Sequence, residues 1–517
     1  MKPNLRFLSA GALVFTAINQ ACAQYTPPPS PAPFAGWLNE YMRKEDPVLA
    51  AWDIGGNLRL RFEDHEGYGI PGRGLASPPA PVNSQSMDFR AHNSLESNSY
   101  FMERLRFHVG YTAKWWSAYV EGESSMVDGD KRLAYFANPL PPSTRVAHGD
   151  GPESDSIDLH QAFVTIGNLK EFPLSLKVGR QELSYGEERL VGAFGWNNIA
   201  RTFDAVKLRW QNEWFSADFF SSHVVIPEDN RFDVDNGSDL FSGVYATSTK
   251  IPKTILEGYF LARNASGKAI SAEPSPQFPQ PSKQDIYTIG GRLKSKPGEL
   301  GNWDYTIEGA YQFGDFLDTR VGAPTKLLQQ DAFMAILQGG YTFNAAWGKP
   351  RLGIEYSYAS GDHNSQDGTH GTFVNLFPTN HKFYGYMDFV SLQNIQDFRG
   401  IFQMHPHPRV TVSIEGHGFW LADSGDNFYT VAGAPRGGKT ITSNVGTGKG
   451  YGVNPGYDAF VGTELDVTAG VALNRWSQLE MGYGHFFTGK YIQQSLSDSN
   501  FGSRDADFVY TQLTVNF

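Results

Sequence analysis

The sequence predicts an all-β fold: a transmembrane up-and-down antiparallel β-barrel of 18 strands, with long extracellular loops and short periplasmic turns. Three observations predict it. The chain opens on an export leader, its body is a succession of short alternating segments, and it closes on an alternating strand that ends in Phe517.

The leader comes first. "MKPNLRF" carries Lys2 and Arg6, "LSAGALVFTAI" is an apolar run, and "ACA" before Gln24 has the small-residue pattern of a cleavage site. Residues 1–23 are expected to be a signal peptide, and 24–50 a proline-rich lead-in, extended over "YTPPPSPAPF". The alternative of a lipid-modified Cys22 meets a poor match in "NQAC". Cys22 is the only cysteine, so a disulfide framework and cysteine metal sites are excluded from the body of the chain. A net charge of −11 argues against nucleic acid as a partner. No stretch after residue 25 is apolar for eighteen residues, which excludes a membrane-spanning helix there.

Alternating segments follow near 53–63, 100–112, 115–123, 158–167, 173–182, 203–211, 214–224, 240–248, 253–263, 285–295, 302–313, 329–344, 350–360, 393–404, 408–421, 457–470, 475–487 and 506–517. The last shows the rule: in "DFVYTQLTVNF", Val509, Thr511, Leu513, Val515 and Phe517 share one face, and a period of two is the period of a strand. Connections after odd strands run from fifteen to thirty-six residues, and those after even strands are short, such as "NE" and "TKIP". Long–short alternation places every long loop at one end, the layout of an outer-membrane meander. Closure follows from the solvent. Lipid offers no partner to an unpaired backbone group, so a spanning sheet has no free edge. A barrel of this strand number encloses an aqueous lumen. The body, 51–517, is therefore read as one barrel domain.

Alternation also sorts the charges. Arg59 and Arg61 oppose Leu58, Leu60 and Phe62; Arg104 and Arg106 oppose Leu105 and Phe107; Lys207 and Arg209 oppose Val206, Leu208 and Trp210; Arg292 and Lys294 flank Leu293. An Arg or Lys facing mid-bilayer lipid costs about 2–4 kcal/mol, so these are expected to point inward. Glu121, Glu123, Glu308, Glu355, Glu415, Glu464, Asp466 and Glu480 are expected to point inward too, mostly on later strands. The expected lumen has a basic wall facing an acidic wall. Such a basic wall selects anions; equally, the charges are the polar lining that any water-filled barrel needs.

The densest block is "GRQELSYGEERLVGAFGWNNIARTFDAVKLRW", from Gly179 to Trp210. With "PRLGIEYSYASGD", "FPTNHKFYGYMD" and "GHGFWLADSGD", it resembles the signature of the alginate export outer-membrane family. The resemblance runs from about residue 50 to the end. It implies an eighteen-stranded outer-membrane barrel whose type member passes an anionic uronate polysaccharide through a constriction rich in Arg and Lys. Gly179, Arg180 and Gln181 match the family's Gly-Arg-Gln, which implies that Arg180 is a constriction arginine. The loop after the fifth strand is expected to fold into the barrel as a constriction or plug, with Arg180, Arg189 or Arg201 meeting Glu182, Glu187 or Asp204.

Glu182, Glu187, Glu188 and Asp204 could supply a carboxylate pair for glycoside hydrolysis, but sequence gives no separation for them. His160, His381 and His485 lack a spaced serine partner for lipolysis. "HPHP" at 405–408 reads as a turn. "GDHNSQDG" offers oxygens for an outer-loop Ca²⁺ but lacks full loop-motif spacing. "KWW" and "HKFYGYMDF" read as interfacial aromatic girdle. The expectation is a passive outer-membrane channel for an anionic saccharide or polysaccharide, alginate-like, with no catalysis, cofactor or metal. The alternatives are a small-anion diffusion porin and, from another class, a barrel enzyme acting on lipid or glycan. Expected partners are the saccharide, outer-membrane lipid and lipopolysaccharide, the barrel-assembly machinery through Phe517, and periplasmic export partners, with the chain as a monomer.

Overall fold

The computed structural model describes residues 36–67, 89, 97–130, 153–227, 232–269, 283–318, 325–364, 366–436, 451–498 and 502–517. Signal peptide 1–23 and the stretch 25–34 lie outside the described residues. Eighteen strands cross in sequence: β1 (Trp52–Glu66), β2 (Ser97–Thr112), β3 (Trp116–Asp128), β4 (Asp155–Ile166), β5 (Leu174–Gln181), β6 (Phe203–Gln211), β7 (Ser216–Ile226), β8 (Val234–Ser248), β9 (Thr254–Ala265), β10 (Gln284–Ser295), β11 (Trp303–Asp318), β12 (Lys326–Thr342), β13 (Arg351–Ala359), β14 (Ile395–His407), β15 (Val410–Leu421), β16 (Phe460–Ala472), β17 (Ser477–Thr488) and β18 (Ala506–Asn516). Each pairs antiparallel with its neighbours in sequence, and β1 pairs with both β2 and β18, from Asn57↔Asn516 to Glu66↔Asp507. The sheet therefore closes on itself. A two-residue strand in the β13–β14 loop, Thr369–His370, adds a parallel pairing against β12.

The alternation is physical. On β2, Leu105 and Phe107 are exposed on the lipid side while Met102, Arg104, Arg106 and His108 are buried inside. On β13, Leu352 and Ile354 are exposed and Glu355 is buried. No helix among the described residues is long and apolar enough to cross a membrane. Short turns are closed by their own side chains. In the β6–β7 turn, Asn212 Oδ1 accepts from the N–H groups of Trp214 (2.8 Å) and Phe215 (2.9 Å), the local bonding that makes Asn a turn residue.

Two features lie outside the strand ladder. Residues Trp37–Glu45 form a helix, α1, at the periplasmic mouth. Asn39 donates to the Asp53 carboxylate, and Arg43 Nη2 donates to the Trp52 carbonyl at 2.8 Å. "HKFYGYMDF" is no girdle: Phe383, Tyr384, Met387 and Phe389 are buried inside the barrel. There they join Leu183, Leu190 and Val191 of the 182–202 loop in one apolar core, with Met334 and Ile336 from the inner face of β12. A short helix, α2 (Lys490–Ser497), adds Tyr491, Ile492 and Leu496 to it. The lumen of the outer half is thus packed rather than open.

Candidate functional site

The plug is built from two loops. Segment 182–202 follows β5, and 360–394 follows β13. A parallel bridge, Val191↔Phe377, joins them. Gly192 N donates to Phe377 O (2.8 Å), Phe377 N to Leu190 O (2.9 Å) and Thr379 N to Glu188 O (2.8 Å). Glu188, Phe194 and Ala200 hold positive φ of 68°, 52° and 69°. Each such residue costs on the order of 1–3 kcal/mol, and the conformation persists because its surroundings over-determine it.

Those surroundings are ionic. Glu187 meets Lys294 at 2.9 Å, Arg292 at 3.1 Å and Arg189 at 3.7 Å. Burial pushes the Glu187 carboxyl up, but Lys294, Arg292 and Arg189 outweigh it and hold it at about 2. Arg189 donates to Glu355 on β13 at 2.7 Å, and Glu355 lies 3.9 Å from Arg399, which pairs with Glu415. Burial would lower Arg189, but Glu355 and Glu187 raise it above the usual range. Glu182 meets His160 at 3.0 Å and Arg106 at 3.6 Å. Burial raises its carboxyl, and the His160 hydrogen bond and charge bring it below its ordinary value. Glu464 on β16 accepts from the Met387 N–H at 2.9 Å and so anchors the second loop.

The basic ladder of β1 and β2 lies under the plug. Arg59 donates to Gly195 O (2.8 Å), Asn197 O (3.1 Å) and Asn198 Oδ1 (3.1 Å), and Arg104 to Gly195 O (3.2 Å) and Asn197 O (3.3 Å). Arg61 donates to Trp196 O (2.7 Å), pairs with Glu63 (2.8 Å) and lies 4.0 Å over the Trp196 ring. Arg106 pairs with Glu123. These four arginines hold the loop instead of facing open lumen. The two-wall expectation also gives way, because acids and bases alternate around the barrel: Arg292 beside Glu257 at 2.6 Å, Arg351 beside Asp304 at 2.6 Å, Arg399 beside Glu415. Neighbouring opposite charges lower the cost of burying either one.

Arg180 meets Asp204 through Nε (2.9 Å) and Nη2 (3.1 Å). However, Arg180 has the strand parity of Leu176 and Val178, and Asp204 that of Val206 and Leu208, which is the outward parity. Gly179, with a φ of 125°, interrupts that alternation, and the Arg180 side chain is only 11% exposed: it also meets the buried Asp158 at 3.4 Å and donates to Asp233 O at 3.1 Å, so it is held among acids where β4, β5 and β6 adjoin. Arg189 takes Glu355 as its nearest acid. Among the described residues Arg201 makes no ion pair: it donates to Gly192 O (3.0 Å) and Pro378 O (2.9 Å), and burial pulls it down to about 10. Its backbone N–H closes back on Ala193 O at 2.7 Å. In the "HPHP" turn, His407 Nδ1 accepts from Arg409 N. In "GDHNSQDG", Asp362 and Asp367 accept from nearby backbone N–H groups.

A different strip faces a cavity. Lys207 and Arg209 line a space of about 450 Å³ with Tyr185, Asp218, Tyr245 and Glu257, reaching the β6–β7 turn. Lys177 lies directly across from Lys207 in the β5–β6 register. Asp218 pairs with Lys207 at 3.7 Å and Arg209 at 3.1 Å, and among the described residues Lys177 makes no ion pair. Sequence reading missed Lys177, although its alternation with Leu176 and Val178 marks it as inward. It missed the second plug loop because buried aromatics in a loop and girdle aromatics have the same composition.

A family model described as Alginate export matches residues 82–501. No curated protein matches the chain. Among solved structures, the chain is similar to Pseudomonas aeruginosa OpdK with vanillate, with a TM-score of 0.52, 11% identity, and coverage of 90% of this chain and 98% of that one. An improved structure of the same porin, OccK1 (OpdK), gives 0.51 at 11% and the same coverage. Pseudomonas aeruginosa OccK11 (OpdR) gives 0.46 at 13%, covering 90% and 96%. At these identities the likeness is one of fold. With the closed 18-strand barrel and the match over residues 82–501, the chain belongs to the Alginate export family and is a channel of the bacterial outer membrane.

Proposed function

We propose that this channel passes an anionic saccharide or polysaccharide, alginate-like in its carboxylates, by passive and electrostatically selective transport. One observation carries the reading: three cations, Lys177, Lys207 and Arg209, lie together on the inner strip of β5 and β6 beside the cavity, and Asp218 is their one ion-pair partner among the described residues. A surplus of cations on a low-dielectric wall lowers the barrier for carboxylates, and several weak contacts allow release. The packed outer half favours a second reading, passage of a small carboxylate rather than a polymer.

Planar-bilayer recording tests this. Anion selectivity, block by a polyuronate, and loss of both in a Lys207→Glu, Arg209→Glu variant support the leading reading. Selectivity with block by benzoate-sized carboxylates alone supports the second. Cation selectivity in the wild type sinks both.

A further inference from the structure

Among the plug contacts, one pair has a different electrostatic character. Arg59 and Arg104 face each other directly in the β1–β2 register and are only 4% and 8% exposed. Like charges directly opposite on neighbouring strands destabilise the pairing. Arg61 and Arg106 answer this with Glu63 and Glu123. Among the described residues, Arg59 and Arg104 make no ion pair. Both converge on the same two acceptors, the carbonyl oxygens of Gly195 and Asn197, and the Nε of each is buried without a hydrogen bond. Glu153 lies near Arg59, and Glu123 and Glu182 near Arg104, but every direct partner of the two guanidiniums is a neutral oxygen; such a buried pair favours any group that brings two oxygens and a negative charge to the same point.

The acceptors sit on a turn that water reaches. Gly195 is exposed, Trp196 and Asn197 are half-buried, and a side chain added at Gly195 would meet nothing. The turn is anchored one residue further on. Asn198 Nδ2 donates to Glu103 O (3.1 Å) and Met126 O (3.3 Å), and Ser125 Oγ donates to Asn198 O (2.7 Å).

We infer that Arg59 and Arg104 form a carboxylate-binding site that the Gly195–Asn198 turn occupies as an internal competitor, and that an anionic saccharide displaces the turn to bind there. The turn's carbonyls stand where the substrate's carboxylate oxygens bind, so binding and loosening of the plug are one event. This rests on the anionic-substrate reading above and adds to it the place of binding and the element that yields.

The experiment measures block of single-channel current by oligogalacturonate, with neutral maltodextrin as control. Asn198→Ala, which weakens the competitor, is expected to lower the half-blocking concentration at least threefold. Arg59→Gln is expected to raise it about tenfold. A Ser125→Cys, Asn198→Cys pair tethers the turn reversibly: reduced channels should be blocked, and oxidised ones should not. Because one preparation serves as its own control, a folding defect cannot imitate that result. Equal block in both states, or an unchanged constant in Asn198→Ala, overturns the inference while leaving anion selectivity standing. Loss of selectivity in the wild type overturns the functional reading and this inference together.

Discussion

Arg189, carried on the plug, donates to Glu355 on β13 at 2.7 Å, and neither side chain is exposed to solvent. The two residues are 166 positions apart in the chain. The pair ties the first plug loop to β13, as Glu187 ties it to Arg292 and Lys294 on β10. Removing one partner leaves a buried charge uncompensated, at about 3–5 kcal/mol. Glu355→Gln should lower the thermal unfolding temperature and increase open-channel noise as the plug loosens. A paired Arg189→Met, Glu355→Leu variant should recover most of the stability. Equal loss in both variants would show that packing, not charge, dominates here.

Glu187 makes the plug acid-sensitive. Its carboxyl is depressed to about 2 in the folded chain, against about 4.3 for an unfolded Glu. A depressed acid contributes stability above its unfolded value and loses it as pH falls through its folded value. The contribution is on the order of 3 kcal/mol. Protection of the 182–202 loop from pepsin should hold at pH 5 and fade towards pH 2. Glu187→Gln should start less protected and show a flatter profile across that range.

Asp218 is the counter-charge of the cationic strip. Asp218→Asn leaves Lys207 and Arg209 without their acid. The reversal potential in a salt gradient should move further towards the anion's equilibrium value. A shift in the other direction would place the conducting path elsewhere.

Leu337 is 52% exposed on the outward face of β12. Leu337→Arg should cost about 2–4 kcal/mol in folding into bilayers, as a cation facing hydrocarbon does. The neighbouring inward position, Gln338, bonds to Glu355 at 2.9 Å, and Gln338→Arg should fold with a smaller penalty. Equal penalties in denaturant titrations would contradict the assigned faces.

Gly385 holds a φ of 90°, and a side chain there would strike the Glu464 carboxylate. Gly385→Ala should release the 380–390 turn from β16. The expected cost is about 1–3 kcal/mol from strain alone, read as a lower temperature for heat-induced gel shift. An unchanged temperature would show that the turn does not bear on barrel stability.

Much of the barrel was legible because its determinants are local. The alternation in "DFVYTQLTVNF" predicts 506–517, and the strand is Ala506–Asn516; the segment read at 393–404 is Ile395–His407, extended by a bulged end. The inward direction of Arg59, Arg104 and Lys207 followed from the same period of two. The plug was legible only in outline. The run "AFMAIL" on β12 puts the apolar Ala332, Met334 and Ile336 on the inward face, where a water-filled lumen calls for polar residues, and it signals something packed within the lumen. It does not say what.

The sequence by itself determined the strands, their order, the faces of their charges and the density of the 182–202 loop, because each depends on neighbours a few residues away. The tertiary structure alone decided that Arg180 meets Asp158 as well as Asp204, that Arg201 meets carbonyls, and that Arg59 and Arg104 lie under the plug while Lys207 and Arg209 face the cavity. Period two separates lipid from lumen. It cannot separate a filled lumen from an open one, since that depends on loops brought together across more than a hundred residues of chain.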